Sequence, residues 1–130
     1  MLKTVLIADD SATMRLSMRM LLQARHTQIK IREAIDGVDA IEKAKTFHPD
    51  LIVLDLAMPK LNGAEAATVL KNALPETPVI LFTMYPEMVS STFCAAIGID
   101  CFSKIDGFSK LLERVDALLP PTATAASGAP

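Results

Sequence analysis

No stretch of this 130-residue chain approaches the ~20 consecutive apolar residues needed to cross a bilayer. Its first residues run into a strand pattern, with no apolar signal region and cleavage site ahead of it. Both absences predict a cytoplasmic protein with no membrane partner. Charge of one sign is missing too: 13 Lys and Arg against 15 Asp and Glu leave a formal charge of −2. The basic residues are scattered, so the stripe that nucleic acid requires does not form, and no direct nucleic-acid contact is expected. Cysteine is scarce. Cys94 and Cys101 sit in apolar surroundings without a secretory signal, which predicts buried free thiols and no disulfide. His26 and His48 have no Cys or carboxylate at metal-ligand spacing and read as surface residues in helix-to-strand connections.

What is present fits one domain with one core, since 51% of the residues are hydrophobic and the length leaves no room for a second fold. Thr4 to Ala8, Leu51 to Leu54 and Val79 to Phe82 are short continuous apolar runs, the pattern of parallel strands covered on both faces. Ile29 to Ala34 alternates as an edge strand does, and Cys101 to Ser103 is a short last strand.

Helical periodicity fills the intervals. From Ser11, an N-cap, to Arg25, the residues Met14, Met18, Leu21 and Leu22 share a face, while Arg15, Arg19 and Gln23 point away. Met14, Met18 and Met20 are expected to pack in the core and at its rim. Asp36 and Gly37 turn the chain into a helix over about Val38 to Phe47; a third follows Gly63 to about Ala73; a fourth runs from near Pro86 to Gly98. The fifth, Phe108 to Leu119, carries an apolar stripe and ends at Pro120 and Pro121. Residues 1–119 thus form the domain, and 120–130, too poor in apolar bulk to fold, a disordered tail or the start of a linker.

Five strands alternating with five helices imply an α/β doubly wound, flavodoxin-like three-layer sandwich. In such sheets ligands bind beyond the carboxyl ends of the strands. Asp9 and Asp10 end the first strand, Asp55 the third and Thr83 the fourth, and Lys104 follows the fifth. With strand order 2-1-3-4-5, the first and third strands are neighbours about 4.8 Å apart, and the three carboxylates converge. Like charges so close call for a cation, and an all-oxygen site suits Mg²⁺.

The Asp9-Asp10 pair, Asp55-Leu56-Ala57-Met58-Pro59 with Gly63, Thr83, and Lys104 behind Phe102 resemble the receiver domains of bacterial two-component response regulators, in particular single-domain regulators of the chemotaxis kind. The likeness covers essentially residues 3 to 119. It implies that Asp55 takes a phosphoryl group from a sensor histidine kinase or phosphotransfer protein. It further implies that Asp10, Asp55 and the Ala57 main-chain carbonyl hold Mg²⁺, with Asp9 acting directly or through water. Thr83 and Lys104 would neutralise the phosphoryl oxygens. Thr83 and Phe102 would form the switch that alters a partner face over Pro86 to Leu119, with a possible homodimer on activation. Catalysis would be limited to the domain's own phosphoryl transfer and slow dephosphorylation.

Two positions depart from the family pattern. Met84 stands after Thr83 where Ala or Gly is general, which predicts slow transfer from small donors. Ile105 follows Lys104 where a Pro in a cis peptide is usual, which predicts a trans bond and a looser Lys104. Three other readings compete. A flavin-phosphate binder is opposed by the charge of Asp9 and Asp10. An aspartyl-phosphate hydrolase needs a second acid that Asp55-Leu56-Ala57 lacks. The third is a receiver-fold interaction module that works without phosphorylation.

Overall fold

The computed structural model describes residues 2–120, so the tail expected over 120–130 lies, beyond Pro120, outside the described residues. Five strands, β1 (Lys3–Ala8), β2 (Ile29–Ala34), β3 (Leu51–Leu54), β4 (Val79–Thr83) and β5 (Asp100–Ser103), form one parallel sheet in the order β2-β1-β3-β4-β5. Five helices, α1 (Ala12–Arg25), α2 (Gly37–Phe47), α3 (Gly63–Ala73), α4 (Ser91–Ile97) and α5 (Ser109–Leu118), cover it on both sides.

The continuous apolar runs have the burial they require: every residue of β3 is buried, as is every residue of β4. One face of the sheet packs Leu6, Ile52, Leu54 and Leu81 against Ala40, Ala66 and Leu70 of α2 and α3. The other packs Val5, Ile7, Val53 and Phe82 against Met18 and Leu22 of α1 and Leu111 and Val115 of α5. Small residues on α2 and α3 let those helices approach the sheet closely.

Ser11, Asp36 and Asn62 cap α1, α2 and α3 by accepting from the main-chain N–H three residues on, and Glu65 completes a capping box with Asn62. The fourth helix departs from expectation. Pro86–Met88 forms a 3₁₀ turn, Val89 is extended (φ −127°, ψ 117°), and Ser90 starts α4 afresh by accepting from the Phe93 N–H at 3.0 Å. Pro86 opens a turn, as a first-turn proline can, but the next strong cap falls four residues later.

The membrane expectation rests on length, and no helix among the described residues is long and apolar enough to span a bilayer. Met18 is buried, Met14 packs at the rim of the core, and Met20 is exposed. Cys94 is buried and Cys101 half-buried, both as free thiols; burial pushes Cys101 up to about 11.

His26 corrects the sequence reading. Its ring is 1% exposed and its Nε2 lies 2.9 Å from Asp116 Oδ1 on α5. The partner is 90 residues away, and only the packing of α1 beside α5 brings the two together. His48 is exposed and closes α2 in the left-handed conformation (φ 47°).

Candidate functional site

Parallel strands send their carboxyl ends to one edge, and that edge gathers the polar residues. The Asp55 N–H donates to the Ala8 carbonyl at 2.8 Å, fastening the end of β3 to the end of β1. The Asp9 N–H donates to Ala34 O at 3.1 Å, fastening β1 to β2. Two loops leaving adjacent strands are thereby aligned, and oxygens of Asp9, Asp10 and Asp55 come within 4.8 Å of one another. Asp9 and Asp55 are buried and Asp10 is exposed.

Lys104 reaches into the cluster from the far side. Its Nζ lies 2.7 Å from Asp9 Oδ2 and 3.3 Å from Asp55 Oδ1, with its side chain 7% exposed. The trans expectation for the Lys104-Ile105 bond holds, since no cis peptide occurs among the described residues. Lys104 is nonetheless not loose: two carboxylates grip it. The Ile105 N–H, which a proline would lack, donates to Ser103 Oγ at 3.1 Å and starts the 3₁₀ turn Lys104–Asp106.

The charges are not balanced. Burial first, then the charge of Asp9 and more weakly that of Asp10, push the Asp55 carboxyl above its ordinary value, while Lys104 opposes them. Three carboxylates, two of them buried, share a single lysine, and a cation among them would relieve their repulsion. The donors are all hard oxygens, which fits Mg²⁺ and not a softer ion.

Thr83 is fully buried at the end of β4, and its Oγ1 accepts from the Tyr85 N–H at 2.9 Å, which leaves the hydroxyl proton free to donate elsewhere. Ala57 is exposed beside Asp55 and lines a groove of about 310 Å³ with Leu56, Asn62, Tyr85 and Met88. Met84 is half exposed, as are Tyr85 and, more fully, Met88. Phe102 pairs in register with Phe82 and is half-buried, one residue before Ser103 and two before Lys104.

The structure gives a motif residue its reason and adds a contributor the sequence reading missed. Gly63 approaches the phosphoacceptor candidate so closely that a Cβ there would lie 2.2 Å from Asp55 O. A glycine eight residues after a strand-end Asp is a signal for close approach only once the loop path is known. Arg15, expected to face away, folds back: its Nη1 donates to Asp9 O at 2.7 Å and its Nε to Glu33 Oε1 at 2.8 Å.

A family model described as the response regulator receiver domain matches residues 5–116. A protein-glutamate methylesterase/protein-glutamine glutaminase of Methanosarcina acetivorans is 43% identical over 79 residues, 60% of this chain and 22% of that protein. A protein of the same name from Thermotoga maritima is 33% identical over 112 residues, 85% of this chain and 33% of that protein. The chain therefore spans well under half the length of these curated relatives. Among solved structures, the Thermotoga maritima response regulator TrrA, in complex with Mg²⁺-BeF, aligns with a TM-score of 0.80 at 29% identity, covering 91% of this chain and 100% of that one. A chain of the CheX-CheY-BeF3-Mg²⁺ complex from Borrelia burgdorferi aligns with a TM-score of 0.78 at 25% identity, covering 89% of this chain and 88% of that one. Agreement of family model, sheet order and solved structures over nearly all the described residues establishes that this chain belongs to the response regulator receiver domains.

Proposed function

We propose that this receiver domain is a phosphoacceptor in a two-component relay, with Asp55 as the nucleophile. The observation that carries the reading is the packing of three carboxylates within 4.8 Å, two of them bridged by the buried side chain of Lys104. Such an arrangement costs stability unless it serves a cation and an anion in turn. Asp10, Asp55 and the Ala57 carbonyl, with Asp9 directly or through water, would hold Mg²⁺, which when bound supplies charge neutralisation for phosphoryl transfer.

The chain's own residues do the rest. Asp55 Oδ attacks the phosphorus of a phosphohistidine on a histidine kinase or phosphotransfer protein; the P–N bond breaks and an aspartyl phosphate forms. Lys104, already within 3.3 Å of Asp55, neutralises a phosphoryl oxygen, and Thr83 donates its free hydroxyl proton to another. The new charge biases Thr83 and Phe102 and through them the face from Pro86 to Leu119, where a downstream protein or a second copy would bind. The solved relatives that carry Mg²⁺ and beryllium fluoride support the same assignment.

Incubation with acetyl phosphate and Mg²⁺ followed by intact mass tests it. A phosphoryl adduct on the wild type, absent from Asp55→Asn and from wild type in EDTA, is the expected result. An equal adduct on Asp55→Asn would remove Asp55 from its role, and no adduct on either, with phosphohistidine donors also inert, would favour an interaction module that needs no phosphate.

A further inference from the structure

Asp9 and Asp10 sit in the turn where the chain leaves β1, and something must hold that turn against the mutual repulsion of the acidic cluster. The Asp9 side chain is engaged at both oxygens: Oδ1 accepts from the Ser11 N–H at 2.9 Å and Oδ2 faces Lys104. Asp10 is exposed, so packing does little to place it. Its position follows from the peptide plane it shares with Asp9.

That plane is gripped from α1. Arg15 Nη1 donates to the Asp9 carbonyl at 2.7 Å, a short charge-assisted bond. The same guanidinium is clamped by Glu33 of β2 through Nε at 2.8 Å. Glu33 is itself fixed on several sides. It pairs with Arg19, and its main-chain carbonyl accepts from Lys43 Nζ at 2.6 Å. The Arg15 side chain is only 15% exposed, so water competes little for these bonds.

The geometry points to Arg15 as a positioning residue for the metal pocket: its rigid fork joins β2 to the Asp9-Asp10 peptide and holds both carboxylates where a Mg²⁺ ion would meet them. The inference rests on the phosphoacceptor reading above. Because Arg15 touches neither the ion nor the reacting carboxylate, its effect falls on the Mg²⁺ requirement and not on the maximal rate. Lysine cannot replace it, since an ammonium lacks the planar pair of donors that reaches Glu33 and the Asp9 carbonyl together.

Calorimetric titration of the whole chain with Mg²⁺ alone, without phosphodonor, is the test. Partners one step outside a metal's own ligands are worth roughly 10–100-fold in affinity. Arg15→Ala and Arg15→Lys are therefore expected to weaken Mg²⁺ binding by about tenfold. Glu33→Gln, which leaves Arg15 in place but loosens its Nε, weakens it less. Arg25→Ala, on the same helix but paired with Asp116 at the opposite end, lowers thermal stability and leaves Mg²⁺ affinity unchanged. At saturating Mg²⁺ the acetyl phosphate labelling rate of Arg15→Ala returns to the wild-type value.

Wild-type Mg²⁺ affinity in folded Arg15→Ala, with only thermal stability reduced, overturns the inference. So does wild-type affinity in Arg15→Lys, which would reduce Arg15 to a bare charge. If Arg15→Ala fails to fold, Arg15→Lys and Glu33→Gln decide. Absence of Mg²⁺ binding to the wild type would overturn both this inference and the phosphoacceptor reading; normal wild-type binding with normal variants overturns the inference alone.

Discussion

Asp55 costs the Mg²⁺-free fold stability, whatever it does as the proposed phosphoacceptor. Burial and the neighbouring Asp9 raise its carboxyl above the ordinary value, so the folded state binds this proton more readily than the unfolded chain does. The fold is favoured below the ordinary carboxylate range and loses that advantage as pH rises through the raised value, so at pH 7 the ionised group is a net cost. Asp55→Asn is expected to stabilise the Mg²⁺-free protein by about 1 kcal/mol, within the usual gain from relieving a functional strain. Thermal melts in EDTA check this, and the advantage should shrink when Mg²⁺ is added, because a neutral amide is a poorer ligand. Gly63 behaves in the opposite sense: an added Cβ would overlap Asp55 O and Leu56 Cα, so Gly63→Ala should cost about 1–3 kcal/mol in a denaturant titration and slow labelling together. Met84, half exposed beside Thr83, is expected to hinder small donors, and Met84→Ala should be labelled faster by acetyl phosphate in a mass-resolved time course. Unchanged labelling would clear the thioether. Asp9, Asp10, Asp55, Thr83 and Lys104 were legible in the sequence because each ends a strand of clear pattern. Gly63 was legible as part of the loop after Asp55, though not its close approach to Asp55 O; Arg15 was not legible, since what makes it matter is the main-chain oxygen of Asp9, which no side-chain pattern reports.

Elements were legible wherever a cap and an apolar period agreed. α1 begins within a residue of expectation because Ser11 caps it, and α2 and α3 because Gly37 and Gly63 mark their starts, whereas α4 was misplaced because Pro86 offers a start that Val89 then interrupts. How elements dock on one another was harder to read. The end of α1 meets α5 through Arg25, His26 and Asp116, three residues that look like surface polar groups in sequence. The hydrogen bond from Arg25 holds the Asp116 carboxyl below its ordinary value, with His26 acting in the same direction and partial burial against it. A carboxyl depressed on folding adds stability that is complete above its unfolded value, near pH 4, and is lost as pH falls through the lower folded value. Wild type should therefore be more stable than Asp116→Asn at pH 6, with the difference closing by about pH 3 or below in urea titrations. A difference that persists undiminished into acid would show that shape at this junction, and not the charge of Asp116, ties α5 to α1.

At the scale of the molecule, the strand order places Asp9, Asp10, Asp55, Thr83 and Lys104 on one edge, and the apolar pattern separates its internal strands from its edges. β1 from Val5 on, β3, and β4 up to Thr83 are apolar and buried, as internal strands are; β2 alternates, as an edge does; β5, half-buried along its length, closes the other side. The fold brings Asp9, Asp10 and Asp55 together whether or not an ion is there to separate their charges, so the metal binding proposed above would be linked to folding. An ion that binds only the folded state adds RT ln(1 + [L]/Kd), about 2.7 kcal/mol at one hundred times its dissociation constant. For a domain of this size, 1 kcal/mol moves the midpoint by roughly 2–8 °C, so saturating Mg²⁺ should raise Tm by an easily measured amount. The rise should be smaller in Asp10→Asn and in Asp55→Asn, each of which removes one charge from the pocket. Ca²⁺ and Na⁺ at matched ionic strength separate site binding from general screening, which acts on exposed charges at long range and little on carboxylates as buried as Asp9 and Asp55. An equal rise with Na⁺ would mean that the acidic edge is merely screened, and no rise with any cation would mean that Lys104, already bonded to two of the three carboxylates, is counter-charge enough.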